Sequence, residues 1–309
     1  MLLNTTSGEQ PEKAATPNLT LRGFDFIDRV KRLVEAECPG IVSCADILTL
    51  VARDSIVATV CNSKTKQKNL CSNTIHYSRN KNKFSFQCWQ GGPFWRVPTG
   101  RRDGLISRSS EALSNVPSPM INFTTLQTLF ANQGLDLKDL VLLSGTSHLT
   151  FSLRDAFLQR WIMDHLIKLI FPGAHTIGIA HCQSFSNRLY NFTGTGDEDP
   201  ALDSEYAANL KARKCRSISD NTTIVEMDPG SRKTFDLSYY KLLLKRRGLF
   251  QSDAALTTNS NTLSMIRQIL QGSIDFRSEF SKSMEKMGRI RVKTGSNGEI
   301  RRQCALVNS

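Results

Sequence analysis

From Arg22 to Glu37 the apolar residues Phe24, Ile27, Val30, Leu33 and Val34 recur at helical spacing and share one face. Cys38-Pro39-Gly40 stops that helix, since proline cannot continue it and glycine readily takes the closing conformation. The pattern repeats along the chain. A second helix is expected from about Ser43 through Ile47, Leu48 and Val51. Another opens at Thr124/Thr125, carries Leu126, Leu129 and Phe130, and ends at Gly134, and a short apolar one runs from Leu137 to Leu143. Helical stretches are also expected at Ile177–Tyr190, Ser204–Lys214, Leu237–Arg246, Asn261–Leu270 and Ser273–Met287, between loops rich in Asp, Gly, Pro and Thr. Strand signals are few. Stripes of this kind are buried by packing helix on helix, so the expected fold class is mainly α.

Two stretches break the pattern. Val60 to Gln90 is polar, rich in Lys and Asn, without period, and holds Cys61, Cys71 and Cys88. Thr146 to Pro172 mixes aromatics and charges around Trp161-Ile162-Met163. The 309 residues suffice for one large domain or two small ones. The net charge of +12 is spread out and interleaved with acids, and no helix-turn-helix or aromatic RNA-binding signature accompanies it. A soluble basic protein is therefore the reading; a polyanion binder rests on charge alone. No apolar run reaches membrane-spanning length. Eight cysteines, with Asn-x-Ser/Thr sequons at Asn4, Asn18, Asn122, Asn191 and Asn221, together point to an oxidising, secretory setting. Yet Met1-Leu2-Leu3 leads straight into polar residues, so a signal peptide is absent and the N-terminus is expected to be missing.

The run Gly173-Ala174-His175-Thr176-Ile177-Gly178-Ile179-Ala180-His181-Cys182 sets a histidine among small apolar residues. Small neighbours admit a flat, bulky ligand close to the backbone, and a neutral imidazole is a good metal ligand. The alternative is a core histidine. Zinc at His175, His181 and Cys182 is disfavoured, because the spacing fits no usual ligand pattern.

With Val42-Ser43-Cys44-Ala45-Asp46-Ile47-Leu48, then Gly100-Arg101-Arg102-Asp103, then Leu142-Leu143-Ser144-Gly145 and the His175 run, the chain resembles the secretory plant haem peroxidases (class III). The resemblance covers roughly residues 1–59, 91–145 and 173–309. It implies a helical domain in two parts with haem b between them, two calcium ions, four disulfides, and oxidation of phenolic donors by hydrogen peroxide. It implies a secreted or vacuolar monomer with no specific nucleic-acid partner and no membrane span.

By the same resemblance His175 is the haem iron's axial ligand, and Asp253 is the carboxylate that accepts from its other ring nitrogen, a partner that fixes the tautomer and enriches the imidazole. Asp253 also reads as a helix-capping aspartate. A calcium site falls on Thr176, Asp228, Ser231, the Thr234 carbonyl and Asp236, in a loop that otherwise reads as an ordinary turn. Pro119 matches the substrate entrance, or is a plain loop proline. The resemblance pairs Cys44 with Cys304 and Cys182 with Cys215, leaves Cys38 without its partner, and gives Cys61, Cys71 and Cys88 no role. His181 is structural.

The family places an Arg and a His over the peroxide side of the haem, in a pattern like R-x-H-F-H-D-C. That distal helix, one calcium site and their residues are expected to be missing here, which leaves Asn18, similar to the residue that orients the distal His, with nothing to orient. Residues 1–309 are then a single interrupted domain with insertions at 60–90 and 146–172. Valine codons begin GT and a glutamine codon can be CAG, and excising the second stretch together with one of the two flanking glycines, Gly145 or Gly173, restores Leu-Ser-Gly-Ala-His-Thr, as a glycine codon split at the junction would, so both read as translated introns.

Overall fold

The computed structural model describes residues 1–4, 8–19, 21–64, 76–78, 83–85, 93–144, 175, 178–232 and 234–308. Thr176, Cys71, Cys88 and the stretch 146–172 lie outside these residues, as does the side chain of Cys61. Helices dominate: α1 (Phe24–Glu37), α2 (Cys44–Lys64), α3 (Ser109–Asn115), α4 (Phe123–Asn132), α5 (Leu137–Ser144), α6 (Ser186–Tyr190), α7 (Ser204–Arg213), α8 (Ser238–Leu244), α9 (Gln251–Ala255), α10 (Ser260–Gln271) and α11 (Phe276–Met287). Beside them stand short 3-10 turns at Glu12–Ala14, Thr16–Asn18 and Cys182–Ser184 and two antiparallel pairs of three-residue strands, β1 (His76–Ser78) with β2 (Lys83–Ser85) and β3 (Ile179–His181) with β4 (Ile224–Glu226). The molecule is mainly α.

Polar side chains set the helix starts. Ser43 Oγ accepts from the Asp46 amide at 3.0 Å to open α2. Asn122 accepts from the Thr125 amide at 2.9 Å to open α4, so the cap lies ahead of the threonines expected to start it. Asn259 and Asp275 cap α10 and α11 in the same way. Gly272, at φ 78°, closes α10 in the left-handed conformation that other residues resist.

Helix α2, expected from about Ser43 through Val51, runs on to Lys64, past the start of the aperiodic stretch at Val60. One expectation needs correction. The helix expected over Ile177–Tyr190 forms only at its end. Residues 179–181 are extended and pair with 224–226 (Ile179 opposite Glu226), a single 3-10 turn covers Cys182–Ser184, and α6 follows.

Three apolar clusters hold these elements. In the first, α5 is buried along Leu140, Val141, Leu142 and Leu143 and packs against α4, α10 and α11, with Phe235, Tyr239, Tyr240, Phe276 and Phe280 around it. The second gathers Ala180, Phe185, Leu189, Leu210, Val225 and Leu249. The third joins Ile27 of α1 to Ile47 of α2 beneath Leu2.

At that third cluster Cys44 and Cys304 form a disulfide (S–S 2.02 Å), tying the start of α2 to the far end of the chain. The carboxylate of Asp103 sits beside it, fully buried. Its Oδ2 accepts from the Cys44 and Arg301 amides at 3.0 and 3.1 Å, and its Oδ1 from the Ala45 amide at 2.8 Å. Asp46 binds the Gly100 amide at 2.7 Å and the Arg101 guanidinium at 3.2 Å, while Arg101 also donates to the Gly288 carbonyl. The second disulfide joins Cys182 to Cys215, and Cys38 is free and exposed.

Candidate active site

His175 stands where the first two clusters meet, since Tyr239 of the first and Phe250 of the second both pack edge-on against its ring. Their centroids lie 5.6 and 4.9 Å away. The histidine is buried, and its Nδ1 is hydrogen-bonded to Asp253 Oδ1. With Nδ1–H donating, the lone pair of the neutral ring is on Nε2.

Asp253 meets three donors. Oδ1 takes His175 Nδ1 and, at 2.9 Å, the Tyr239 hydroxyl, while Oδ2 takes the Phe250 amide at 2.9 Å. The last bond caps α9, so one carboxylate serves both as a helix cap and as the acceptor for His175. Burial and the adjacent Asp253 carboxylate raise the Tyr239 hydroxyl well above the usual tyrosine range, so it stays protonated and acts as a donor.

The backbone leading into α9 is held from the side by Arg188 of α6. Its Nε donates to Asp199 Oδ2 at 2.6 Å, and its Nη1 to the carbonyls of Gly248, Leu249 and Phe250 at 2.7, 2.8 and 2.9 Å. Gly248 cannot be replaced without movement. A Cβ there would lie 2.8 Å from both Asp253 Cβ and Leu243 Cδ2. The carbonyl of Pro119 accepts from the Ser252 amide at 3.1 Å, so Pro119 lies against the start of α9.

Antiparallel pairing holds the stretch after β4 against Gly178, three residues beyond His175. Gly178 donates to the Arg232 carbonyl at 3.1 Å and accepts from the Met227 amide at 3.0 Å. Within the loop Ser231 Oγ donates to Asp236 Oδ2 at 2.6 Å. Asp228 is buried and its Oδ2 has no partner; desolvation, with Asp236 and Glu226 nearby, pushes its carboxyl up to about 7. A buried, unpaired carboxylate facing other carboxylates calls for a cation. Among the described residues no three His, Cys, Asp or Glu side chains form a metal-binding group, so a calcium ion here would draw on Ser231 and carbonyl oxygens as well. Thr176 lies outside the described residues.

These contacts can be set beside known proteins. A peroxidase family profile matches residues 1–272. Peroxidase 3 of Arabidopsis thaliana is 59% identical over 310 aligned positions, which take in 100% of this chain and 77% of that protein. Peroxidase 39 of the same plant is 57% identical with the same coverage, and peroxidase 1 of Oryza sativa subsp. japonica is 44% identical. The chain belongs to the plant secretory (class III) peroxidase family. That membership classes it with haem peroxidase-type enzymes, and family identity implies the use of haem and calcium.

Within this peroxidase the zinc alternative fails, because Cys182 is consumed by its disulfide with Cys215. The sequon at Asn18 is no glycan acceptor in the folded chain, since its buried side chain donates to the Glu12 carbonyl at 2.8 Å. Asn122, Asn191 and Asn221 are exposed. Sequence reasoning missed Tyr239, Arg188 and Gly248. An Arg at the end of a short helix reads as solvent-facing, and a Tyr-Tyr pair reads as core. Gly248 offered only its place in Arg247-Gly248-Leu249, which resembles any helix stop.

Proposed function

We propose that this chain is the proximal half, and most of the frame, of a haem peroxidase that oxidises phenolic donors with hydrogen peroxide. The observation that carries the reading is His175, buried, clamped edge-on by two aromatic rings and hydrogen-bonded through Nδ1 to Asp253. The donor set fits haem iron: a neutral Nε2 lone pair on a ring that cannot rotate, made a stronger donor by a carboxylate behind it. Haem b bound there supplies the redox chemistry that peroxide cleavage requires. Asp253 orients the imidazole and keeps its proton on Nδ1. Tyr239 and Phe250 exclude water from the proximal face. Pro119, next to Ser252, lies in the substrate approach.

The loop fits calcium through the unpartnered Asp228 carboxylate, with Asp236, Ser231, the Thr234 carbonyl and Thr176 as the remaining ligands. An ion at that position would brace the backbone immediately after His175. Calcium at 100 times its dissociation constant is expected to raise the parent's unfolding free energy by about 2.7 kcal/mol and to leave Asp228→Ala unmoved. Thermal melts with calcium or a chelator read the difference. Equal calcium responses in the two proteins would remove the site.

The 309 residues are proposed as one domain interrupted at 60–90 and 146–172. The support for the second interruption is the 3.1 Å hydrogen bond from the His175 amide to the Ser144 carbonyl, which joins the two flanks directly. Excision would leave donor and acceptor a single helical turn apart in sequence. Genomic DNA lacking GT and AG at these junctions would refute the intron reading. A secreted or vacuolar monomer, with hydrogen peroxide and small phenols as its partners, completes the proposal. Among the described residues no helix is long and apolar enough to cross a membrane.

No R-x-H-F-H-D-C pattern occurs in these residues. A general acid–base histidine contributes about 10²–10⁴ in rate, and a charge-stabilising donor about 10²–10³. The chain by itself should therefore turn over peroxide little above free haem. Preceding it with a distal segment and deleting both interruptions should restore haem binding and phenol oxidation, and His175→Ala in that protein should lose the axial ligand spectrum. Equal peroxide turnover by the 309 residues and the restored protein would overturn the assignment. A non-catalytic remnant that at most binds haem or calcium is the second reading; a restored protein that takes up haem yet fails to oxidise phenols would favour it.

A further inference from the structure

Asp253 Oδ1 receives two donors at once, His175 Nδ1 and the Tyr239 hydroxyl at 2.9 Å, and all three groups are buried. A carboxylate oxygen shared between two donors is a weaker acceptor for each than one serving a single donor. The Tyr239 hydroxyl has one hydrogen, and it is directed at this oxygen. Its ring also packs edge-on against His175, so it cannot leave without opening the cluster. Asp253 is fixed from the other side by the Phe250 amide on Oδ2, so the carboxylate cannot turn to give His175 an oxygen of its own.

We propose that Tyr239 sets the strength of the hydrogen bond between His175 and Asp253, and so how much electron density the imidazole can give an electrophile at Nε2. Tyr239 acts through Asp253 and is a positioning residue. The inference rests on the reading of His175 as an axial ligand only for its functional meaning; the hydrogen-bond coupling is a property of the chain itself. Removing the hydroxyl leaves Oδ1 to His175 alone, which lengthens its N–H bond and deepens the imidazole's anionic character. A more electron-withdrawing phenol does the opposite.

The test uses the full chain with ¹⁵N-labelled histidine, without haem, and reads the His175 Nδ1 proton by NMR, assigned by its loss in His175→Ala. Tyr239→Phe should move that proton downfield, and global 3-fluorotyrosine incorporation, which makes the hydroxyl a stronger donor, should move it upfield. A purely structural role for Tyr239 would give no such opposite pair. If Tyr239→Phe fails to fold by circular dichroism, the fluorotyrosine arm alone decides. An unmoved proton in a folded variant overturns the proposal. Haem is then titrated into parent and Tyr239→Phe protein, which should show a higher iron–histidine stretching frequency and a more negative reduction potential in the variant. Opposite proton shifts with no haem uptake would uphold the coupling while sinking the axial-ligand reading. Haem uptake with an unmoved stretch and potential would overturn the electronic consequence.

Discussion

Replacing Arg188 with methionine is expected to destabilise the protein by about 3–5 kcal/mol, the usual cost of breaking a buried ion pair by removing one partner. Arg188 and Asp199 are 1% and 2% exposed, so solvent screening offers little relief. The variant strands the Asp199 carboxylate and also leaves the carbonyls of Gly248, Leu249 and Phe250 without this donor. Urea unfolding measures the loss. Adding Asp199→Leu should recover much of it, because the stranded charge is then gone. A midpoint unchanged in Arg188→Met would show that the pair contributes nothing net. Because the three carbonyls lead directly into α9, the single variant should also loosen the hold of Asp253 on His175.

Asp103→Ala should cost a similar amount, about 3–5 kcal/mol, partly for the same reason, since Arg301 Nη2 lies 3.8 Å from its Oδ1 and both side chains are buried. Three backbone amides, two at the start of α2 and one near the chain's end, donate to one buried carboxylate and lose it together. Water cannot replace it without opening the third cluster. Asp103→Asn keeps one acceptor oxygen and should lose less. The Cys44–Cys304 bridge lies against the same amides, so dithiothreitol should reduce it faster in Asp103→Ala than in the parent. Equal unfolding midpoints and equal reduction rates would show that Asp103 is not the joint between α2 and the chain end.

Much of this arrangement was legible in the residues, wherever a signal is local. Of the expected stripe, Phe24, Ile27, Val30 and Val34 lie on the packed face of α1 while Leu33 is exposed, and Leu140 to Leu143 form a helix too apolar to lie anywhere but inside. Short elements were not legible. Ile179-Ala180-His181 is extended only because Ile224-Val225-Glu226 lies beside it, and that partner is far away in sequence. Helix α3 buries only Ala112, so it has no stripe to read. At the site, the resemblance named His175 and Asp253, but no pattern in the sequence could show that Tyr239 would share Asp253's oxygen or that Arg188 would be buried. Those facts belong to packing between segments and become visible only when the segments meet.

The hydrogen bond from His175 to Ser144 has a consequence for chain length. Its two ends are bonded neighbours, so the segment between them begins and finishes at one point in space. Closing roughly 30 residues across such a point costs about 3 kcal/mol of chain entropy, and doubling that length adds only about 0.6 kcal/mol. A tag, a reporter or a second folded module exchanged for residues 146–172 is therefore expected to close at Ser144 and His175 with almost the same entropic cost.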